Sequence, residues 1–244
     1  MTATRPCVLV FAGSDPSAGA GIAADVQAVT AVGAHPLAVV TALTVQDHNR
    51  VYEVVPVAAE LVLRQARALT AACRIDAVKI GIPGSADNAR TIAQVIAGLR
   101  LDNDKLRGKL PIVLDPVLAS GHGDRLGRGD AVAALAPLLA LASVVTPNGP
   151  EAAALGLLES DRALVTGGHD DGDEVVNRWR ECSWTWPRLP GSFHGSGCTL
   201  AAALAGLLAQ GWAMSEALER AQAYTHATLV AAYRIGAGQQ IPLR

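Results

Sequence analysis

Residues 195–198 read Gly-Ser-Gly-Cys and open a strongly apolar helical pattern. Glycines at the start of a helix leave successive backbone N–H groups free to point at one anion, and the helix dipole adds favourable potential there. A thiol in the first helical turn, such as that of Cys198, has a lowered pKa and can act as a base or a nucleophile. The segment therefore predicts an anion site beside a reactive thiol. A tight turn with a small buried cysteine is the structural alternative.

A second glycine-rich loop lies at residues 12–21, where the pattern G-x-G-x-x-A begins at Gly19. A dinucleotide-binding fingerprint requires its first glycine in the turn directly after the strand. Here residues 14–18 separate the end of the strand from Gly19. In addition, Gln46 stands where an acidic residue would bind the ribose. A Walker-type phosphate loop is also absent, because Leu110 follows the Gly-Lys pair in place of Ser or Thr. The sequence thus argues against both of these nucleotide sites.

Apolar, β-branched runs alternate with helical patterns along the chain. Strands are predicted at residues 7–12, 36–43, 76–81, 112–115, 143–146 and 163–166. Apolar residues repeat at helical spacing over residues 62–73, 89–99 and 200–208, and Gly211 ends the last of these helices. This alternation predicts an α/β fold, with a mostly parallel central sheet flanked by helices on both faces. No linker or repeat divides the sequence, so residues 1–244 are predicted to form a single domain.

The loops that follow the predicted strands are rich in Gly, Pro, Asp and Asn. They read AGSDPSAGAG, TVQD, GIPGS, DPVLASGHGD, TPNGPE and TGGHDD. Such residues are common in any turn. In parallel sheets, however, the carboxyl ends of the strands build the ligand site. Six loops of this composition at one edge predict a site for a polar ligand.

Composition narrows the range of partners. The 244 residues carry a formal net charge of −2 and no long run of Lys or Arg, which argues against nucleic acid and anionic membranes as partners. No apolar run approaches the roughly 20 residues of a transmembrane helix, and the apolar N-terminal run is read as a first strand rather than a signal peptide. Four scattered cysteines argue against a zinc site or a disulfide framework and predict a cytoplasmic location.

Taken in order, the segments resemble the hydroxymethylpyrimidine/phosphomethylpyrimidine kinase family of the ribokinase superfamily. The segments are AGSDPSAGAGIAADVQ, VVTALTVQ, AVKIGIPGS, VLDPVLASGHGDRL, VTPNGPEAAAL, HGSGCTLAAALA and AAYRIGAG, and with the apolar run before the first of them the match covers residues 8–238 in order. The resemblance implies a ribokinase-like fold and two successive transfers of the γ-phosphate of ATP, with Mg²⁺, to an aminopyrimidine of thiamine biosynthesis. It also implies a homodimer with small-molecule substrates.

The resemblance assigns a role to each residue that matches a family position. The implied substrate-binding residues are Gly13, Asp25, Gln46, Ile82 and Val117. The implied nucleotide-binding residues are Asp115, Asn148, Thr166 and Gly168, with Glu151 at the metal. Gly195, Ser196 and Gly197 match the anion hole and Cys198 the catalytic base. Taken singly, most of these residues also fit structural roles: Asp25 could lie on a solvated helix face, and Asp115 could simply end a strand.

The sequence departs from the family at residue 166, where many relatives carry a lysine that meets ATP phosphates and this chain has Thr166. Arg188, Arg125 or a metal ion are the candidates to supply the missing charge. Two alternative functions stay open beside the pyrimidine kinase. One is a pyridoxal or pyridoxine kinase of the same superfamily, whose substrate has a similar ring size and a hydroxymethyl acceptor. The other, suggested by Thr166, is a catalytically weak pyrimidine-binding regulatory protein.

Two further features favour structural roles. Trp179, Trp184 and Trp186 are predicted to lie on an edge strand that packs on the core rather than to form a base-stacking platform. His194 precedes the predicted anion loop, residues 195–198, so it either reaches a phosphate or shapes that loop.

Overall fold

A six-stranded sheet forms the centre of the computed structural model, which describes residues 4–102, 110–118 and 131–244. The sheet order is β3-β2-β1-β4-β5-β6, and every neighbouring pair is parallel except β2 with β3. Its strands are β1 (Cys7–Ser14), β2 (His35–Gln46), β3 (Val51–Pro56), β4 (Ala77–Ile80), β5 (Ile112–Leu114) and β6 (Val144–Val145). A separate hairpin pairs β7 (Glu174–Trp179) with β8 (Cys182–Pro187).

Helices connect the strands and cover both faces of the sheet. They are α1 (Gly21–Ala31), α2 (Ala59–Ala72), α3 (Ala86–Asp102), α4 (Ala131–Leu139), α5 (Gly149–Ala154), α6 (Ser196–Ala209) and α7 (Met214–Val230). The mostly parallel α/β architecture predicted from the sequence is confirmed. No helix within the described ranges is long and apolar enough to cross a membrane. All four cysteines are free.

Strand β1 shows why the sheet is buried on both sides. Successive side chains of a strand point to opposite faces, and a strand covered on both faces reads as a continuous apolar run. Val8 and Val10 pack with α1, α6 and α7 on one face. Leu9 and Phe11 pack with α2, α3 and α4 on the other. The strand therefore ends at Ser14 within a fully packed core, and the loop after it emerges at the carboxyl edge of the sheet.

Helix α6 is the most enclosed helix of the fold. Its residues from Thr199 to Leu208 are all buried, between α1, α7 and the sheet. Small side chains permit this close approach: a Cβ on Gly206 would lie 2.5 Å from Val32 Cγ2. Burial of so many positions fixes the helix, and its N-terminal residue Ser196 lines the cavity at the carboxyl edge of the sheet.

Two strand predictions differ from the structure. Residues 163–166 make single bridges instead of a strand: Ala163 pairs with Val145 and Thr166 with Asn148. Strand β3 has no counterpart in the prediction, because its pattern VYEVVP is only half buried and carries a charged residue. The β8 strand predicted around the tryptophans is present, and Trp179 and Trp184 pack against the core.

Candidate active site

A cavity of about 570 Å³ opens at the carboxyl edge of the sheet, where the polar loops meet. Thirteen of the fourteen residues to which the resemblance gave a role line it. They are Gly13, Gln46, Ile82, Asp115, Val117, Asn148, Glu151, Thr166, Gly168, Gly195, Ser196, Gly197 and Cys198. Because these residues come from seven separate segments, the fold rather than proximity in the chain gathers them around one space.

The anion loop, residues 195–198, forms the start of α6 at this cavity. Gly195 is the N-cap residue, in the left-handed conformation with φ +78°, and no side chain caps the helix. No described residue accepts a hydrogen bond from the N–H groups of Ser196, Gly197 or Cys198. Three donors at the positive end of a fourteen-residue helix are therefore available to an anion in the cavity.

The two glycine loops touch each other, which explains the pattern at residues 19–24. A Cβ on Gly195 would overlap the carbonyl oxygen of Gly19 and lie 2.9 Å from Ala20 Cα. Gly21 has φ +55°, and a Cβ there would overlap the carbonyl oxygen of Gly13. These glycines thus permit close backbone contact between loops, and a dinucleotide pyrophosphate is not required to account for them.

A hydrogen-bonded pair joins these loops, and the sequence analysis did not single out its carboxylate. His194 Nε2–H donates to Asp15 Oδ2 at 2.8 Å, and the same carboxylate accepts from the N–H groups of Ser17 and Ala20. Burial raises the pKa of Asp15, but the hydrogen bonds from His194 and Ser17 outweigh it and leave the pKa below its ordinary value. Of the two roles open to His194, its contact with Asp15 is the loop-shaping one. The sequence Asp-Pro-Ser, which is typical of a turn, was the signal from which the role of Asp15 could have been predicted.

A buried ion pair lies at the cavity floor, which Lys79 lines and Asp25 does not. Lys79 Nζ of β4 is 2.8 Å from Asp25 Oδ2 of α1, and both side chains are fully buried. Asp25 is the one assigned residue that does not line the cavity, and it is not on a solvated helix face either. It binds Lys79 instead of contacting the cavity. A lysine inside the apolar strand AVKI was the signal for this pair, because a buried charge requires a partner.

Burial and neighbouring charges set the pKa values of the pair. Burial lowers the pKa of Lys79, but Asp25, Cys198 and Asp115 together raise it by more. Burial raises the pKa of Asp25 to about 6, so both groups are charged at neutral pH. Asp115, at the end of β5, lies in the field of the same ammonium. The floor of the cavity is therefore one buried cation shared by two acids.

The thiol of Cys198 differs from its prediction. Its pKa is raised to about 12: burial is the largest cause, Asp115 and Asp25 add to it, and Lys79 offsets only part of the shift. The expectation of a lowered pKa in the first helical turn was wrong, because burial among carboxylates outweighs the helix dipole. The Gly21 N–H and the Asp115 carboxylate are the polar neighbours of the sulfur.

Glu151 and Asn148 form a capping box at the start of α5. Asn148 Oδ1 accepts from the Glu151 N–H at 2.9 Å, and Glu151 Oε2 accepts from the Asn148 N–H at 3.0 Å. Burial and the charge of Asp115 raise the pKa of Glu151 to about 7. The side chain thus does more than complement the helix dipole, because it is held in the cavity wall close enough to Asp115 for the two carboxylates to repel each other.

The two acids suit a magnesium ion. Asp115 Oδ2 is buried and has no hydrogen-bond partner among the described residues. Mg²⁺ prefers oxygen ligands, and one or two carboxylates usually share it with phosphate and water. Within the described part of the chain, no group of three or more His, Cys, Asp and Glu side chains is placed to hold a metal by itself. The arrangement therefore fits an ion that arrives with a phosphate.

Of the candidate cations, Arg188 lines the cavity near Thr166, and backbone carbonyl groups engage its guanidinium. Its guanidinium donates to the carbonyl oxygens of Gly168, Asp170 and Gly172, at 3.0, 2.6 and 2.6 Å, and more weakly to those of Gly167 and Glu174. Arg188 therefore holds the loop at residues 167–174 together and lines the cavity beside Thr166 and Gly168. Arg125, the other candidate, lies outside the described residues.

An aromatic pair lies at the far end of the cavity. The rings of Trp186 and His226 are 5.1 Å apart and tilted by 30°. Trp186 Nε1–H donates to Gln222 Oε1 at 3.4 Å. Unlike Trp179 and Trp184, Trp186 lines the cavity, so the prediction that all three pack on the core holds for only two of them.

Known proteins are similar to this chain along most of its length. The family model for phosphomethylpyrimidine kinase matches residues 15–162 and 155–243. A hydroxymethylpyrimidine/phosphomethylpyrimidine kinase of Rhizobium meliloti is 39% identical, over 95% of this chain and 93% of the relative. A phosphomethylpyrimidine kinase of Clostridium difficile has a similar structure, with a TM-score of 0.73 at 27% identity, over 91% of this chain and 98% of the other.

A second solved structure is similar over a comparable span. The pyridoxal kinase of Staphylococcus aureus, in complex with ADP, gives a TM-score of 0.81 at 26% identity, over 99% of this chain and 94% of the other. The ribokinase-like fold implied by the sequence is confirmed by these neighbours. Since the family model covers both the glycine loops and the anion loop, and a relative is 39% identical along nearly its full length, the chain belongs to the phosphomethylpyrimidine kinase family.

Proposed function

We propose that this protein phosphorylates 4-amino-5-hydroxymethyl-2-methylpyrimidine and then its monophosphate, using ATP, to form the pyrophosphate needed for thiamine biosynthesis. The observation that carries the proposal is the anion loop, which presents three unengaged N–H groups to the cavity that Asp115 and Glu151 also line. An anion-binding helix terminus beside two acids suits phosphoryl transfer with a bound magnesium ion. Relatives bear the names of both kinase steps.

The acceptor occupies the end of the cavity next to β2. Gln46 offers a donor and an acceptor on one planar amide, which suits the edge of an aminopyrimidine. Ile82 and Val117 provide apolar walls for the ring, and Gly13 permits close approach because a Cβ there would lie 2.7 Å from Ile82 Cδ1. These residues bind and orient the hydroxymethyl oxygen toward the anion loop.

ATP occupies the opposite end, near Thr166 and Gly168. An ADP complex of the similar pyridoxal kinase supports a nucleotide as the second ligand. The N–H groups of residues 196–198 stabilise the charge that develops on the transferred phosphoryl group. Glu151 and Asp115 would hold magnesium, in part through water. When it is bound, the ion neutralises phosphate charge. Arg188 keeps the loop at residues 167–174 in place while the nucleotide binds.

Cys198 is proposed as the group that receives the hydroxyl proton in the first step. Because its thiol is protonated at neutral pH, it must pass a proton on, and the neighbouring Asp115 carboxylate can accept that proton. The substrate proton then moves to the sulfur as the thiol proton moves to the carboxylate. In the second step the acceptor is a phosphate oxygen that is already anionic, so no base is required.

Replacing Cys198 with Ala should therefore reduce the first phosphorylation about 10²–10⁴-fold, the usual contribution of a general base. The second phosphorylation should fall by less than about tenfold, because only packing beside the anion loop changes. Single-turnover ADP release with each pyrimidine measures the two steps separately. Equal losses in both steps would contradict the base role and leave Cys198 as a packing residue of the loop.

The proposed function is tested by ADP release from MgATP with three acceptors in parallel: the hydroxymethylpyrimidine, its monophosphate and pyridoxal. A reaction without acceptor controls for ATP hydrolysis. Turnover on both pyrimidines supports the proposal and shows that Thr166 is tolerated. Turnover on pyridoxal alone assigns the chain to the second candidate, a pyridoxal kinase, which the similar Staphylococcus aureus structure favours. Pyrimidine binding without ADP release indicates the regulatory alternative.

A homodimer is part of the same proposal. Strands β2 and β3 expose an apolar face on which Leu43 pairs with Val55, while Val45 follows Leu43 at the two-residue spacing of one strand face. These side chains are 55%, 43% and 52% exposed. An exposed apolar ribbon of this kind is typical of a protein interface.

A cytoplasmic location also belongs to the proposal, because four free cysteines suit a reducing compartment.

We expect the purified protein to have about twice the chain mass of 25.1 kDa in light scattering after size exclusion. Leu43→Glu should convert it to the monomer, because a carboxylate cannot be buried in an apolar interface without a partner. Leu158 is equally exposed, at 56%, but lies away from this face, so Leu158→Glu is the matched control and should leave the mass unchanged. A wild-type monomer would contradict the dimer.

A further inference from the structure

Arg244 connects the two glycine loops from behind. One of its terminal nitrogens, Nη2, donates to the carbonyl oxygens of Gly19 and Gly195, at 2.6 and 3.2 Å. Its Nε–H donates to Thr199 Oγ1 at 2.7 Å, and that hydroxyl in turn donates to the carbonyl oxygen of Gly195 at 2.8 Å. A single guanidinium therefore fixes both loops and the first turn of α6.

The bonds of Arg244 determine which backbone groups face the cavity. Arg244 does not line the cavity, whereas Gly195, Ser196 and Gly197 do. Carbonyl oxygens carry partial negative charge and would repel a phosphate. Holding the carbonyls of Gly19 and Gly195 on the Arg244 side leaves the unengaged N–H groups of the anion loop for the cavity. The left-handed φ of Gly195 makes this reversal of the peptide direction feasible.

Arg244 is half-buried, and its Nη1 atom is buried with no hydrogen-bond partner among the described residues. A buried donor without an acceptor is costly, and native proteins keep such groups mainly where function requires them. A planar fork is also needed here, because a lysine ammonium could not reach both carbonyls and the Thr199 hydroxyl in the same geometry.

We propose that Arg244 is the positioning residue of the anion loop, which holds the carbonyl groups of Gly19 and Gly195 so that the N–H groups of residues 196–198 are set for a phosphate before the nucleotide arrives. The proposal rests on the phosphotransfer function argued above. Arg244 acts through the loop and does not touch the substrate. Its loss should therefore affect nucleotide binding and turnover, while the pyrimidine end of the cavity stays intact.

The test compares Arg244→Ala, Arg244→Lys and Arg244→Gln with the wild type. We expect kcat for ADP release to fall about 100-fold in Arg244→Ala, the size of effect seen when a phosphate-stabilising donor is misplaced, with the KM for hydroxymethylpyrimidine changed less than about threefold. Added guanidinium ion should restore part of the activity of the alanine variant. Lysine should not substitute, because it lacks the fork. Arg234→Ala is the matched control, since Arg234 is exposed and its one described hydrogen bond is a weak one, 3.5 Å to Gly238.

Calorimetric titration with MgADP gives a readout that does not depend on turnover. Binding of MgADP should weaken at least about tenfold in Arg244→Ala and recover with guanidinium. Thermal unfolding shows whether each variant is folded, and Arg244→Gln replaces the alanine variant if that one is not. Unchanged kcat and MgADP affinity, or losses that guanidinium does not reverse, would overturn the role of Arg244. If the wild type binds MgADP but releases no ADP when it is supplied with MgATP, that result would instead overturn the proposed function alone.

Discussion

Replacing Lys79 with Met should lower the free energy of unfolding by about 3–5 kcal/mol, because it leaves the Asp25 carboxylate buried without a partner. Both side chains of the pair are fully buried, and the nearby Asp115 loses the same cation. Without Lys79, the pKa of Asp25 in the folded state should rise well above its unfolded value. A carboxyl group shifted in this direction destabilises the fold as pH increases. The loss measured by urea denaturation should therefore be larger at pH 8 than at pH 5.

Two comparisons make this result specific. The double variant Lys79→Met/Asp25→Leu should recover most of the lost stability, because apolar residues of similar volume often replace a buried ion pair at little cost. Arg74→Met is the matched control: it removes a pair with Asp76 in which the arginine side chain is 78% exposed, and it should change the free energy of unfolding by less than about 1 kcal/mol. A Lys79→Met protein as stable as the control would show that the pair is solvated in solution.

Replacing Gly195 with Ala should reduce kcat/KM by at least about 10³-fold, because the anion loop can no longer approach Gly19. The new Cβ would overlap the carbonyl oxygen of Gly19, and Ala20 Cα would be 2.9 Å away. Both neighbours are backbone atoms and cannot rotate aside. The loop must move, and displacement by even a fraction of an ångström misplaces the three N–H groups at the phosphate. Steady-state kinetics with MgATP and the hydroxymethylpyrimidine measures the loss.

The opposite end of the same helix offers the control for this variant. Gly211 follows α6 with φ +88°, and a Cβ there would meet no atom within 4 Å. Gly211→Ala thus carries the same unfavourable backbone conformation without a collision, at a cost of about 1 kcal/mol. Its kcat/KM should equal that of the wild type. Similar losses in both variants would mean that backbone strain in α6, and not the contact with Gly19, controls the site.

Local sequence patterns predicted the parts of the fold that depend on local chemistry. Apolar, β-branched runs located β1 and β2, period-3.6 repeats of apolar residues located α2, α3 and α6, and the glycines located the anion loop. Strand β3 was missed because its side chains are only partly buried, so no apolar run marks it. The segment at residues 163–166 looked like a strand, yet it forms isolated bridges, because pairing depends on a partner elsewhere in the chain.

Long-range contacts account for what the sequence did not reveal at the site. The role of Asp25 depends on Lys79, which is 54 positions away, and that of Arg244 on Gly19, which is 225 positions away. The pKa of Cys198 depends on burial and on two carboxylates from other elements, so its position in the helix alone suggested the wrong direction. Residue types at a single segment indicate chemistry, but their ionisation states are set by neighbours that only folding supplies.

The enclosure of α6 makes this helix intolerant of larger side chains. Ten of its fourteen residues are buried and many are alanine, so most substitutions there add atoms where there is no space. The residues proposed to bind the acceptor, Gln46, Ile82 and Val117, lie outside this helix. Substitutions there are therefore expected to change the acceptor preference at less cost to the phosphate-handling helix, and the similar folds of a pyrimidine kinase and a pyridoxal kinase are consistent with this.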